Sequence, residues 1–223
     1  YTTTPGETFI IAGSTRYNNF TDLAFYGNAD SGGEVSVPLV FLGTGSAEAL
    51  AQVDIQDKAV LILSKNESLV GSKAVALARE KGARMVFVCN TETKDDFEVL
   101  NNQVKQLYQK GQLSLTKPST KENQRPGLFV VSPVIVDKLF GVSLTKLRQA
   151  AADDPKKKSL RKIKPVSISY KSSTDVKVVR SENVLGYLEG TDKKDELLII
   201  TSHYDHIGIS KTGSGDRINN GAD

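Results

Sequence analysis

The residues best suited to chemistry in this sequence stand near its C-terminal end: His203, Asp205, His206 and Asp223. The chain has two histidines, and both fall in the stretch Leu197-Leu-Ile-Ile-Thr-Ser-His-Tyr-Asp-His-Ile-Gly208. In extended backbone, residues two apart project to the same side, so Asp205 can hold one ring nitrogen of His203 while the other nitrogen faces a metal. His206 falls outside that alternation. The single cysteine, Cys89, lies in the apolar run Met85-Val-Phe-Val-Cys89 and is expected to be a small buried hydrophobe rather than a reactive thiol. Without thiolates, a metal here would be held by imidazole and carboxylates with a position open to water, the catalytic type of zinc site. Asp223 follows Gly221 and Ala222, small residues that let backbone approach an ion, and a carboxylate is able to bridge two metals. Spacing alone does not place Asp223, and a surface-loop histidine remains the alternative for the His-x-Asp pair.

These side chains need a platform. Glu196 to Thr201 is a nearly continuous apolar run, as in strands buried on both faces of a sheet, which predicts a central strand with the histidines at its C-terminal end. Ligands bind at that end in open α/β sheets. Asn183 to Gly190 reads as a neighbouring strand, joined to it by a charged hairpin turn, Asp192-Lys-Lys-Asp195. Before that, Val166, Ile168 and Tyr170, then Val176 and Val178, alternate with polar residues, predicting an antiparallel pair that turns at Lys171 to Asp175. The change of period near Pro165 sets a domain boundary, with one domain over residues 8–160 and a second over 165–223.

The first domain begins as short β-like pieces, Phe9 to Ala12 and Leu23 to Tyr26, separated by polar and Gly-rich turns such as Asn28 to Gly33. Val37 to Gly43 and Lys58 to Leu63 read as buried strands, and Arg84 to Cys89 as a third. Between the last two, Ser68 to Gly82 has helical spacing at Val70, Ala74, Leu77 and Ala78 and ends on glycine, so strand, helix and strand form a crossover onto a parallel pair. Gly43-Thr-Gly-Ser46 lacks the third glycine and the later acidic residue of a dinucleotide fingerprint, which makes it a plain turn and disfavours a nucleotide binder. Phe97, Leu100, Val104, Leu107 and Tyr108 mark one amphipathic helix. Lys117 to Gly127 is a loop by composition, Leu128 to Val131 a strand, Ser132-Pro133 the start of a short helix, and Ser143 the N-cap of a helix over Leu144 to Ala152. Lys156 to Lys164 places six basic residues in nine positions. It has neither interleaved aromatics nor an amphipathic stripe, so a solvated connector is expected, not a nucleic-acid or membrane patch.

Composition fits this division. A chain of 223 residues, 39% apolar and 25% charged, supports one large or two small globular domains. A net charge of +3 implies no polyanionic partner by itself. No apolar run approaches the roughly 18 residues of a membrane span. Tyr1 is neither an initiator methionine nor the start of a signal peptide, so a processed or trimmed N-terminus is expected.

Three segments in order, Ser181 to Gly190, Leu198 to Gly208 and Gly215 to Asp223, together resemble the start of the catalytic domain of the M28 family of zinc aminopeptidases and carboxypeptidases. Residues 37–89 are similar, more loosely, to the protease-associated (PA) domain often inserted in that family. The resemblance implies an α/β fold: a PA-type β-rich α/β accessory domain followed by the first strands of a phosphorylase/hydrolase-like zinc-peptidase domain. It implies that His203 binds one zinc, Asp205 orients His203 and Asp223 bridges two zincs, while His206 matches no ligand. Two zinc ions would activate a shared water against the scissile carbonyl of a peptide substrate. The family's general-base glutamate and remaining ligands fall beyond Asp223, so this polypeptide is expected to be inactive alone and to bind zinc weakly or not at all.

Aminopeptidase is preferred as the family's broadest activity. Members with PA domains are usually secreted, periplasmic or lumenal, which implies an extracytoplasmic location. The sequons at Asn19 and Asn66 are compatible with that. The alternative function is a non-catalytic module in which the PA-like domain binds a protein or peptide and the His-x-Asp remnant is idle.

Overall fold

The computed structural model describes residues 1–27, 29–64, 72–117, 127–153, 155–193, 195–203, 208–210 and 214–219. Asn28 in the first Gly-rich turn, the start of the 68–82 helix with Val70, the Asn66 sequon and most of the 117–127 loop lie outside them. In chain order the elements begin with strands β1 (Thr2–Pro5), β2 (Phe9–Ala12), β3 (Thr15–Asn18), β4 (Leu23–Tyr26) and β5 (Val35–Phe41). Helix α1 (Ala47–Leu50), β6 (Ala59–Leu63), α2 (Lys73–Glu80), β7 (Met85–Cys89), α3 (Lys94–Gln109), β8 (Gln112–Leu113) and β9 (Leu128–Val131) follow. Then come α4 (Pro133–Leu139), α5 (Leu144–Ala152), 3-10 turns at Pro155–Lys157 and Ser159–Lys162, and strands β10 (Val166–Lys171) and β11 (Thr174–Lys177).

The protein is mixed α/β, built on an eight-stranded sheet in the order β3-β2-β10-β5-β6-β7-β9-β4. Its centre is parallel, β5 with β6, β6 with β7 and β7 with β9, and both flanks are antiparallel. The continuous apolar runs occupy the parallel centre because both faces there are covered: all five residues of β7 and all four of β9 are buried. The crossover expected from residues 58–89 is therefore present, with α2 packed on β7. Ser72 caps α2, Gly82 leaves it at φ +86°, and Ser132 and Ser143 cap α4 and α5. Cys89 is buried, and burial pushes its thiol up to about 11, so it is un-ionised at neutral pH. Gly43 (φ +59°) and Gly45 (φ +70°) turn the chain from β5 into α1, with Gly45 N–H donating to the Leu42 carbonyl, as a plain turn requires.

Helix α3 departs from its expected stripe. Phe97 and Val104 are buried, but Leu107 is exposed and Asn101 is buried in its place. Thr93 and Asp96 form a reciprocal capping box that fixes the start of the helix. Among the described residues the Asn101 side-chain oxygen has no hydrogen-bond partner, so it carries an uncompensated desolvation cost. Asn101→Leu, which keeps the branched skeleton and removes the polar atoms, is expected to stabilise the fold by about 1–2 kcal/mol. A thermal melt should show the gain, and a lowered midpoint would mean that Asn101 is satisfied in solution.

Three expectations about the following chain are corrected. The strands at 166–171 and 174–177 form but do not pair with each other: β10 lies between β2 and β5, and β11 pairs with β1 in a separate three-stranded sheet, β11-β1-β8. Between them Ser172 is buried, donates from Oγ to the Ala29 carbonyl and from its N–H to Ser31 Oγ, and so pins a crossing between sheets where a hairpin turn was expected. The compact units are Tyr1–Arg180 and Ser181–Asp223, because β10 is internal to the first sheet; the period change at Pro165 is a change of strand environment. The basic stretch 156–164 is also no simple solvated connector, since Leu160 within it is 5% exposed and belongs to the core.

Candidate functional site

The second unit, Ser181–Asp223, carries the predicted chemistry. The strands expected at 183–190 and 196–201 are not formed among the described residues. Leu197, Leu198, Ile199 and Ile200 are 75%, 87%, 68% and 87% exposed, where burial on both faces was expected. A strand needs neighbours to satisfy its N–H and C=O groups and to cover its side chains, and no strand lies beside this run among the described residues. Of the expected hairpin turn Asp192 to Asp195, Lys194 lies outside the described residues; next to it Glu196 N–H donates to the Lys193 carbonyl and the two side chains form an exposed ion pair at 3.3 Å.

His203 follows this run and is exposed. Asp205, His206 and Asp223 lie outside the described residues. Among the described residues no three His, Cys, Asp or Glu side chains come together in a group able to hold a metal. The structure does join the described flanks of the two motifs. Ile209 and Ile218 form an antiparallel bridge, with Ser210 N–H donating to the Arg217 carbonyl at 2.8 Å. Asn219 donates twice to the Gly208 carbonyl, from its backbone N–H at 2.9 Å and from Nδ2 at 2.8 Å. Asp216 Oδ1 accepts from Ile218 N–H at 3.0 Å, an Asx-type turn that sets the returning strand.

Sequence reasoning gave Asn219 and Asp216 no role. The available signal was the Asp-x-Ile spacing, since an aspartate two residues before an apolar position is a local turn former. The double donation by Asn219 depends on a partner eleven positions away and has no local signature.

No protein-family description and no curated protein sequence matches the chain. Among solved structures it is similar to an aminopeptidase from Aneurinibacillus sp. strain AM-1, with TM-score 0.45 and 17% identity, over 79% of this chain and 33% of that one. A zinc aminopeptidase from Bacillus subtilis gives TM-score 0.39 and 10% identity, over 77% of this chain and 33% of that one. A peptidase M28 precursor from Shewanella amazonensis SB2B gives TM-score 0.35 and 14% identity, over 78% and 35%. The chain thus spans about a third of the length of each of these structures.

Proposed function

We propose that the chain is part of an M28-type zinc aminopeptidase that removes N-terminal residues from peptides. Residues 1–180 would be its PA-type accessory unit and residues 181–223 the opening of its catalytic unit, in an extracytoplasmic protein. The observation that carries this reading is the pairing of Gly208 with Asn219. With the Ile209–Ile218 bridge it sets residues 208–210, which follow the His-Tyr-Asp stretch in sequence, beside residues 217–219, which precede Asp223 in sequence. A loop histidine without function needs no such pairing.

The donor types suit hydrolytic zinc: one imidazole, His203, with the carboxylates Asp205 and Asp223 and no thiolate in the unit. In the complete enzyme His203 and Asp223 would hold metal, and Asp205 would fix the ring of His203. Bound zinc supplies an activated water and stabilises the developing oxyanion. Of these donors only His203 is among the described residues, and the apolar run before it is exposed, so the chain's own residues are assigned no catalytic step.

With zinc added, the purified 223-residue chain should hydrolyse Leu-p-nitroanilide no faster than buffer. Zinc titration should show weak binding at most, reduced further by His203→Ala. A measurable turnover would overturn the expectation that residues 1–223 are inactive alone. The peptidase reading itself is tested by the coding sequence after Asp223, which should continue Asp-Asn-Ala-Ser-Gly and later present a Glu-Glu pair. A continuation with neither would leave the peptide-binding module as the function.

A further inference from the structure

We propose that residues 156–164 form a preorganised docking site for a linear sulfated polysaccharide. The observations lie wholly in the first unit and do not depend on the peptidase reading. Lys156, Lys157, Lys158, Arg161, Lys162 and Lys164 are all exposed. Lys157 reaches Asp153 at 3.7 Å, and no carboxylate among the described residues lies within ion-pair range of Lys158, Lys162 or Lys164. A run of like charges normally extends and moves in solvent. This one is anchored.

The anchors are specific. Leu160 is 5% exposed and packs over Gly43, where an added Cβ would stand 3.1 Å from its Cδ2. Ser159 is buried and donates to Asp153 Oδ2 at 2.6 Å. Arg161 donates from Nε to the Gln52 carbonyl at 2.8 Å and from Nη2 to the Ala51 carbonyl, which ties the segment to the end of α1, and no carboxylate among the described residues pairs with its guanidinium. Lys158 turns the corner between the two 3-10 turns in the left-handed region, φ +51°, a conformation that non-glycine residues adopt only under constraint. The backbone that carries the cations is therefore held in place, and less of its conformational entropy is lost on binding than in a mobile basic run.

The chemistry selects among polyanions. Residues 155–164 contain no aromatic side chain on which a base could stack. The apolar members of the segment are withheld from a membrane, with Leu160 in the core and Ile163 half-buried. A flexible chain with repeated sulfate groups can follow the exposed cations and satisfy lysine ammonium groups as point charges.

The test is binding of a fluorescent heparin hexasaccharide to the full 223-residue chain, followed by anisotropy. Affinity should fall on the order of 30-fold between 50 and 200 mM salt, as release of counterions from about three contacts requires. Lys158→Glu/Lys162→Glu/Lys164→Glu should weaken binding at least tenfold at 50 mM salt, and the corresponding Gln variant should weaken it less. Lys73→Glu/Lys81→Glu/Lys110→Glu changes net charge equally at exposed lysines elsewhere and should leave affinity within threefold. Equal losses in the two Glu variants would reduce the effect to net charge and overturn the site. So would absence of binding at 50 mM salt, or equally tight binding to duplex DNA of matched charge.

Discussion

Phe129→Ala is expected to destabilise the first unit by about 3–5 kcal/mol, the usual cost of emptying a buried aromatic site. Phe129 is fully buried at the middle of β9 and is the hub of the aromatic core: its ring stacks on Phe87 at 5.1 Å between centroids, tilts against Phe25 at 4.8 Å and meets Tyr170 edge-on at 6.2 Å. Those partners lie on β7, β4 and β10, so one side chain connects the parallel centre of the sheet to both antiparallel flanks. Truncation removes its apolar area from the core and leaves a cavity that the rigid strands cannot close. Against a typical total stability of about 5–15 kcal/mol, the variant should sit near the edge of folding. Urea unfolding gives the measurement. A loss under about 1 kcal/mol would show that the sheet repacks freely around the vacancy, contrary to the packing described.

The residues that make this core were legible in the sequence because their pattern has one physical cause. A strand covered on both faces must be apolar throughout, so β6, β7 and β9 announce themselves as runs, and the serines before α4 and α5 mark the starts of those two helices. β1 and β3 were missed because their sequences, Thr-Thr-Thr-Pro and Thr-Arg-Tyr-Asn, are mostly polar, as suits a strand of the small sheet and an edge strand. The pairing of β10 was missed for a different reason. Period-two alternation says that Ile168 and Tyr170 share a buried face, but not which strands stand beside them. Proximity in sequence favoured β11, whereas the bonds of Ser172 to residues 29 and 31 carry the chain away from it.

At the candidate site the limit lies in context. Leu197 to Ile200 has a composition that buried strands share, yet burial is a property of neighbours, and exposure of the run shows how little four apolar residues determine without them. The His-x-Asp spacing states a chemistry and a side, not a position in space. What the structure adds is the local return of the chain: the Asp216 turn, the Ile209–Ile218 bridge and the Asn219 clamp on Gly208. These contacts lie between the predicted donors in sequence and bring residues 208–210 beside 217–219, which residue types alone could not reveal.

Gly127→Ala is the second large effect expected, and it tests the same core from its edge. Gly127 is buried immediately before β9, and an added Cβ would overlap the ring of Phe25. Phe25 has no open space to enter: it is 3% exposed, paired across the strands with Phe129 and in ring contact with it. Backbone retreat is opposed as well, since the Gly127 carbonyl accepts from Arg79 Nη2 at 3.2 Å. The methyl group should therefore cost about 1–3 kcal/mol through overpacking, although alanine ordinarily lowers the entropy of the unfolded chain and stabilises. Phe25→Ala alone should cost about 3–5 kcal/mol. In the double variant the methyl enters the space the ring has left, so the combined loss should fall short of the sum of the two by about 1–2 kcal/mol. Chemical denaturation of the four proteins in the cycle measures that coupling. Additive losses would show that Gly127 is needed for its backbone rather than for the room it gives Phe25, and the tight joint between β4 and β9 would then have to be sought elsewhere.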